Sequence, residues 1–193
     1  MLHSSNKSEL RASARTIRNG FGDKFIINAS KRSCEHLSKT LEFERADTIL
    51  IYYPIKNEIS PLSIMCLAQK EGKKVAFPVC DTKNNTLLFK EINEISELKQ
   101  TSLGTFEPSG ACKDATITEN TLCIVPALLF SRDGYRLGYG KGYYDRFLKN
   151  FKGISVGLSY DELLCECLPT DFHDIPLNII ITESEVLYIA QKN

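Results

Sequence analysis

Thr48-Ile49-Leu50-Ile51-Tyr52-Tyr53-Pro54 is an unbroken apolar run of strand length. It does not alternate, as a strand with one wet face would, so it reads as a strand covered on both faces, the habit of parallel sheets. Just downstream, Ser60-Pro61 supplies an N-cap and a first-turn proline, which predicts a helix running to about Gly72. Val75-Ala76-Phe77-Pro78-Val79 is the next strand, and the three elements together read as a right-handed βαβ unit.

The same pattern continues toward the C-terminus. Thr86 to Ile92 forms a strand after an Asn84-Asn85 turn, and Glu107-Pro108 falls in a loop. Leu122-Cys123-Ile124-Val125 is a second buried strand, residues 131–142 form a glycine-rich loop, and Tyr143 to Phe151 forms a helix. Gly153 to Ser159, Asn178 to Thr182 and Val186 to Ile189 complete the strands. Upstream, Leu10, Ala14, Ile17 and Phe21 recur as one helical seam, with Lys7, Arg11, Arg15 and Arg18 as a basic stripe beside it. A second helix opens at Asp23 and turns Ile26, Ala29, Leu37 and Leu41 inward. No linker or repeat interrupts the chain, so residues 1–193 read as one α/β domain with a mostly parallel sheet.

Composition narrows the partners. The 193 residues carry 24 Lys+Arg against 24 Asp+Glu, with 42% hydrophobic residues and no tryptophan. Zero net charge argues against a coat for nucleic acid or for a membrane surface. The longest apolar run, Leu122 to Phe130, is broken by Pro126 and falls far short of a membrane span of about 20 residues. Seven scattered cysteines without a CxxC pair suit a reducing compartment, and the cytoplasm is the expected location. Cys66 and Cys123 lie in apolar context and read as buried hydrophobes. The Ser- and Arg-rich residues 1–21 read as a helix of the mature protein rather than a leader. A chain of this size is expected to function as a monomer.

Chemistry concentrates between Val125 and Leu148. Gly134, Gly138, Gly140 and Gly142 join a buried strand to a helix, beside Arg132, Arg136 and Lys141. Glycines there let backbone N–H groups approach an anion, and the helix N-terminus adds its dipole. Asp145, in the first helical turn, would face a bound phosphate, a repulsion that a magnesium ion between them relieves. The residues alone leave two readings open: an Mg-nucleotide site, or a tight connection with a dipole-complementing Asp. The spacing is neither a Walker loop nor a Rossmann fingerprint.

The stretch Val125-Pro126 through Gly134, Arg136-Leu137-Gly138, Gly140, Gly142-Tyr143-Tyr144-Asp145 and Leu148 resembles the signature of the 5-formyltetrahydrofolate cyclo-ligase family, V-P-x-x-x-F-D-x-x-G-x-R-L-G-x-G-x-G-Y-Y-D-x-x-L. Weaker matches follow in the family's order: Lys7 with Arg11, Tyr53-Pro54 with Glu58, Glu107-Pro108, and Leu168-Pro169 through His173-Asp174 to Thr182-Glu183. The chain departs from the pattern at Ser131, where the family has Asp, and at Asn178, where another Asp is common.

The resemblance implies a three-layer, doubly wound α/β sheet similar to ribose-phosphate isomerase and CoA-transferase domains. It implies ATP-dependent conversion of 5-formyltetrahydrofolate to 5,10-methenyltetrahydrofolate, with Mg²⁺ as cofactor and ATP as co-substrate. Carried over residue by residue, Lys7, Arg11, Arg136, Gly138, Tyr139, Gly140, Lys141, Gly142, Tyr143 and Tyr144 line the ATP site. Asp145 and Asp174 hold the metal; Tyr53, Glu58 and the Tyr139 to Tyr143 stretch border the folate; and Arg136 and Asp145 serve the chemistry. His173 is expected to brace its loop by a hydrogen bond rather than act as a base. Two other classes stay open, a folate or nucleotide sensor without turnover and a metabolite kinase or ligase of different substrate.

Overall fold

The computed structural model describes residues 6–102 and 104–190. In chain order the helices are α1 (Lys7–Asn19), α2 (Asp23–Leu37), α3 (Leu41–Arg45), α4 (Leu62–Lys70) and α5 (Tyr143–Leu148). The strands are β1 (Thr48–Leu50), β2 (Lys74–Asp81), β3 (Thr86–Glu91), β4 (Leu98–Gln100), β5 (Phe106–Pro108), β6 (Thr121–Val125), β7 (Leu129–Ser131), β8 (Arg136–Leu137), β9 (Ile154–Leu158), β10 (Leu164–Cys165), β11 (Ile179–Ile181) and β12 (Val186–Tyr188). Seven of them form the main sheet in the order β12-β11-β9-β6-β1-β2-β3.

The pairs β2-β1-β6-β9-β11 are parallel, while the edge strands β3 and β12 run antiparallel to their neighbours. Alternate side chains of the central strands go to opposite faces. Ile49, Val75, Phe77, Leu122, Ile124, Val156 and Ile181 pack under α1 to α4 with Leu10, Ala14, Leu37 and Phe43. Leu50, Ala76, Cys123, Val125 and Ile180 pack on the other side, with Leu148, Phe147 and Tyr144 of the α5 region. Both faces are dry, which is why the Thr48 run shows no alternation. The arrangement is the mixed, mostly parallel three-layer α/β sheet expected from the sequence.

Several local expectations are corrected. Residues 131–142 are not one loop: β7 and β8 pair as an antiparallel hairpin, with β10 alongside β7, and only then does the glycine loop begin. Strands of two or three residues leave no periodic signal. Glu107-Pro108 likewise lies in β5, paired with β4. Ser60 does not cap α4: Pro61 occupies the cap position and no side chain caps the helix, while the Ser60 N–H donates to Ser30 Oγ. Leu41 is 57% exposed because α2 stops at Leu37 and Thr40 caps a new helix, α3, that turns Phe43 inward. Cys66 is exposed, whereas Cys123 is buried as expected; all seven cysteines are free.

Candidate active site

Between β1 and β6 the order of the main sheet reverses, so the chain leaves the carboxyl ends of these two neighbours in opposite directions. Such a switch point opens a crevice in doubly wound sheets. Here it is a cavity of about 570 Å³. Its walls come from α1 (Lys7, Arg11), the segment after β1 (Tyr53, Glu58), the hairpin and glycine loop after β6 (Arg136 to Asp145), and the segment after β9 (Asp171, His173, Asp174). Every site residue carried over from the family signature lines this one cavity, although the contributing segments are far apart in sequence.

Two cations on its walls are paired with carboxylates. Arg136 donates from Nη2 to Asp145 Oδ1 at 2.7 Å and from Nη1 to the Ile175 carbonyl at 2.7 Å. Its guanidinium is buried, which works to lower its pKa, with the Asp145 charge opposing. Lys7 Nζ donates to Asp171 Oδ2 at 2.6 Å and Asp174 Oδ2 at 2.7 Å. Burial alone would lower the Lys7 pKa, but these hydrogen bonds and charges outweigh it and raise it. For Asp174, burial works upward, and the Lys7 bond, the Asp171 N–H and the Lys7 charge bring it below the usual carboxylate range.

The glycine loop is shaped by backbone conformations that side chains resist. Gly140 has φ +95° and Gly142, which precedes α5, has φ +65°. Arg11 donates from Nε to the Gly138 carbonyl at 2.9 Å and lies along the loop past Gly140. With only six residues, α5 supplies less dipole than the sequence reading assumes, so the loop's positive character rests on Arg11, Arg136, Lys141 and backbone N–H groups.

The opposite wall is aromatic and acidic. Tyr53 packs against Phe106 of β5 with ring centroids 4.4 Å apart. A turn through Lys56 and Asn57, both at positive φ, folds Glu58 back into the crevice. Glu58 is buried, with Oε1 accepting from the Tyr139 hydroxyl at 2.6 Å and Oε2 from the Ile55 N–H at 3.0 Å. Tyr144 lies under the loop with its hydroxyl buried and without a hydrogen-bond partner among the described residues.

The basic cluster is smaller than its sequence suggests. Arg15 is exposed, and Arg132 sits on the surface bound to Glu185 and Glu166. Arg18 is 3% exposed because positions 10, 14 and 18 share the inward face of α1. The His173 ring packs edge-on against Phe172 and makes no hydrogen bond among the described residues, contrary to the bracing role expected of it. Ser131 preserves a loop brace of its own by donating to Asp133. Asn178 accepts from the Ser155 N–H and hydroxyl, tying β9 to β11 away from the cavity. Arg18 belongs to the basic stripe read from the sequence but turns inward, while Phe106 and Asp171 are not singled out there; of these two, Asp171 alone has a signal, the D-x-x-D spacing with Asp174.

A model of the 5-formyltetrahydrofolate cyclo-ligase family matches residues 3–183. The chain belongs to that family. Among curated members, the 5-formyltetrahydrofolate cyclo-ligase of Haemophilus influenzae is 28% identical over 182 residues, covering 91% of this chain and 97% of that one. The cyclo-ligase of Escherichia coli K12 is 32% identical over 146 residues, 73% and 80% of the two chains. The NMR structure of Aquifex aeolicus 5,10-methenyltetrahydrofolate synthetase superposes with a TM-score of 0.82 at 31% identity, covering 97% of this chain and 94% of that one. The cyclo-ligase family uses ATP as co-substrate.

The cavity also fits a divalent cation. Asp145 and Asp174 each commit one carboxylate oxygen to a cation, and the other oxygen of each makes no hydrogen bond among the described residues. Asp171, His173 and Asp174 hold their ligating atoms within 4.8 Å of one another. Oxygen donors in small number suit magnesium, which keeps much of its water.

Proposed function

We propose that the protein converts 5-formyltetrahydrofolate to 5,10-methenyltetrahydrofolate at the expense of ATP, in the cavity at the β1/β6 switch point. The observation that carries this reading is the meeting of Gly138, Gly140 and Gly142 of the signature, the Arg136–Asp145 pair and Glu58 in one cavity, in a chain of this family.

A formamide oxygen is a weak nucleophile and its carbon a weak electrophile. In the proposed reaction the formyl oxygen attacks the γ-phosphorus of ATP and ADP departs. The carbon, now part of an iminium phosphate, is attacked by N10. N10 loses its proton, the C–O bond breaks, and phosphate leaves with the former formyl oxygen. Phosphoryl transfer asks the protein mainly for positioning and charge neutralisation. Arg11, Arg136, Lys141 and the loop N–H groups provide both on the ATP side, each strongest where charge develops. Lys7 stands at the same wall, poised between its aspartates and an incoming phosphate. Asp145 and Asp174 would hold Mg²⁺, which neutralises phosphate charge when bound. Tyr53 and Phe106 offer ring faces to the folate, with Glu58 as a polar acceptor beside them. A narrow crevice protects the activated carbon from water. Monomeric action in the cytoplasm belongs to the same proposal.

The test is direct. Incubation with 5-formyltetrahydrofolate and Mg-ATP in mildly acidic buffer should give methenyl absorbance with one ADP per product. Tight folate binding without product would favour a sensor, and product without ATP would defeat the scheme. Asp145→Asn should lose turnover far more than folate affinity; equal losses would make Asp145 a structural residue.

A further inference from the structure

Arg18 is the arginine that the cavity does not need for ATP. It is buried behind the wall, where Nη1 donates to the Ala127 carbonyl at 3.2 Å and Nη2 to the Tyr139 hydroxyl at 2.7 Å. A guanidinium can only donate. The Tyr139 oxygen therefore accepts from Arg18, and its single proton points to Glu58 Oε1, 2.6 Å away. The second Glu58 oxygen is taken by the Ile55 N–H. Direct Arg18–Glu58 contact is looser, at 3.9 Å. The polarity of this chain of bonds runs one way, from Arg18 through Tyr139 to Glu58. Protonating Glu58 would replace the charged acceptor of the Tyr139 hydrogen with a neutral carboxyl oxygen and so weaken the bond.

We infer that Arg18 and Tyr139 form a polarity relay that holds Glu58 as an anionic acceptor facing the folate, making Arg18 a positioning residue that acts through Tyr139 and, more loosely, through its own charge. The inference rests on the folate reading of the cavity and deepens it. It gives the last position of the stretch Arg136-Leu137-Gly138-Tyr139 a reason to carry a hydroxyl, and α1 a second task besides presenting Lys7 and Arg11.

The groups around Glu58 support the relay. Tyr52 donates to the Ile59 carbonyl and Tyr160 to the Asn57 carbonyl, so neither is available to Glu58. Burial raises the pKa of Tyr52, Tyr139, Tyr144 and Tyr160 alike, so all four are neutral near pH 7. Lys56, on the same turn, is exposed and screened. Burial pushes the Glu58 carboxyl up, while the Tyr139 bond, the Ile55 N–H and the Arg18 charge pull it back. Removing the relay leaves burial less opposed, so Glu58 takes up its proton at a higher pH.

The experiment measures kcat/KM for 5-formyltetrahydrofolate across the acid range at saturating Mg-ATP, read as ADP release. Each variant's acid limb is located relative to its own plateau, and wild type is measured in parallel to remove the titrations of the substrates. Tyr139→Phe should move the limb upward by about one pH unit, since a hydrogen bond to a charged group is worth about that much. Arg18→Met should move it in the same direction, and Arg18→Lys should restore part of the shift. In a Glu58→Gln background the limb should vanish and Tyr139→Phe should shift nothing further. A uniform loss at every pH, or a shift that persists in Glu58→Gln, would overturn the relay. Tyr139→Phe removes one oxygen and keeps the ring, so it carries the test if Arg18→Met does not fold. If wild type makes no product, the folate reading fails while the relay stays testable. The Glu58 carboxyl ¹³C resonance, assigned by its loss in Glu58→Gln, should then titrate higher in Tyr139→Phe, and an unchanged midpoint would overturn the relay.

Discussion

Arg136 and Asp145, nine residues apart, close the glycine loop like a clasp through their 2.7 Å hydrogen bond. Arg136 stands on the last strand of the hairpin and Asp145 in the first turn of α5, so the bond fixes both ends of residues 138–142. Arg11 holds the same loop through the Gly138 carbonyl. In the proposed site, the donors that would meet a phosphate are thus held in place before it arrives, which would leave little reorganisation for the moment of reaction.

Arg136→Met should open this clasp. Asp145 is partly exposed and its orphaned carboxylate can hydrate, so the stability loss should stay near 1–3 kcal/mol, below the usual cost of breaking a fully buried pair. The KM for ATP should rise about tenfold or more, while folate affinity changes little. Urea denaturation and steady-state kinetics check both; an unchanged ATP requirement would remove Arg136 from the nucleotide site.

At Gly140 the constraint is conformational rather than steric. A Cβ there would lie an ordinary 3.5 Å from Arg11 Nη2, but φ is +95°. Gly140→Ala should therefore cost about 1–3 kcal/mol in urea denaturation and weaken ATP use. Gly138, which lacks positive φ and where an added Cβ would meet nothing within 4 Å, should accept alanine with less than about 0.5 kcal/mol of stability change. Equal stability losses at the two positions would show that the Gly140 backbone is not the constraint.

Cys80 lines the cavity beside Glu107, which accepts from its backbone N–H. Burial, then the Glu107 charge and hydrogen bond, raises the thiol pKa to about 11. Only the thiolate alkylates, and at pH 8 it forms roughly one part in a thousand at such a site. Iodoacetamide should label the exposed Cys66 and Cys167 first, with Cys80 labelling about tenfold faster per pH unit as pH rises toward its pKa. Mass spectrometry of the peptides decides this, and equal rates for Cys80 and Cys66 at pH 8 would contradict it.

The central strands are legible because they lie in long apolar runs, which carry the strongest local signal. Ile49 to Ile51 and Leu122 to Val125 are buried throughout, and both supply central strands, although β1 ends at Leu50 rather than running to Pro54 as the apolar run suggests. The strand Leu129 to Ser131 was hidden, because three buried residues next to Pro126 look like the tail of the preceding run. Arg18 was misread for a physical reason as well. A buried arginine is rare, and only the tertiary partners Tyr139, Ala127 and Glu58 reveal what satisfies it. Phe106 had no sequence signal as a cavity residue, since a short hairpin distant in sequence brings it to Tyr53.

The central claim is that the formyl oxygen itself attacks ATP. 5-Formyltetrahydrofolate labelled with ¹⁸O in the formyl group, turned over with Mg-ATP in ordinary water, should deliver one labelled oxygen to each inorganic phosphate released. Mass analysis of that phosphate is the measurement. Label found in the phosphate at one atom per turnover is the predicted result; unlabelled phosphate, with the label in water, would contradict the account.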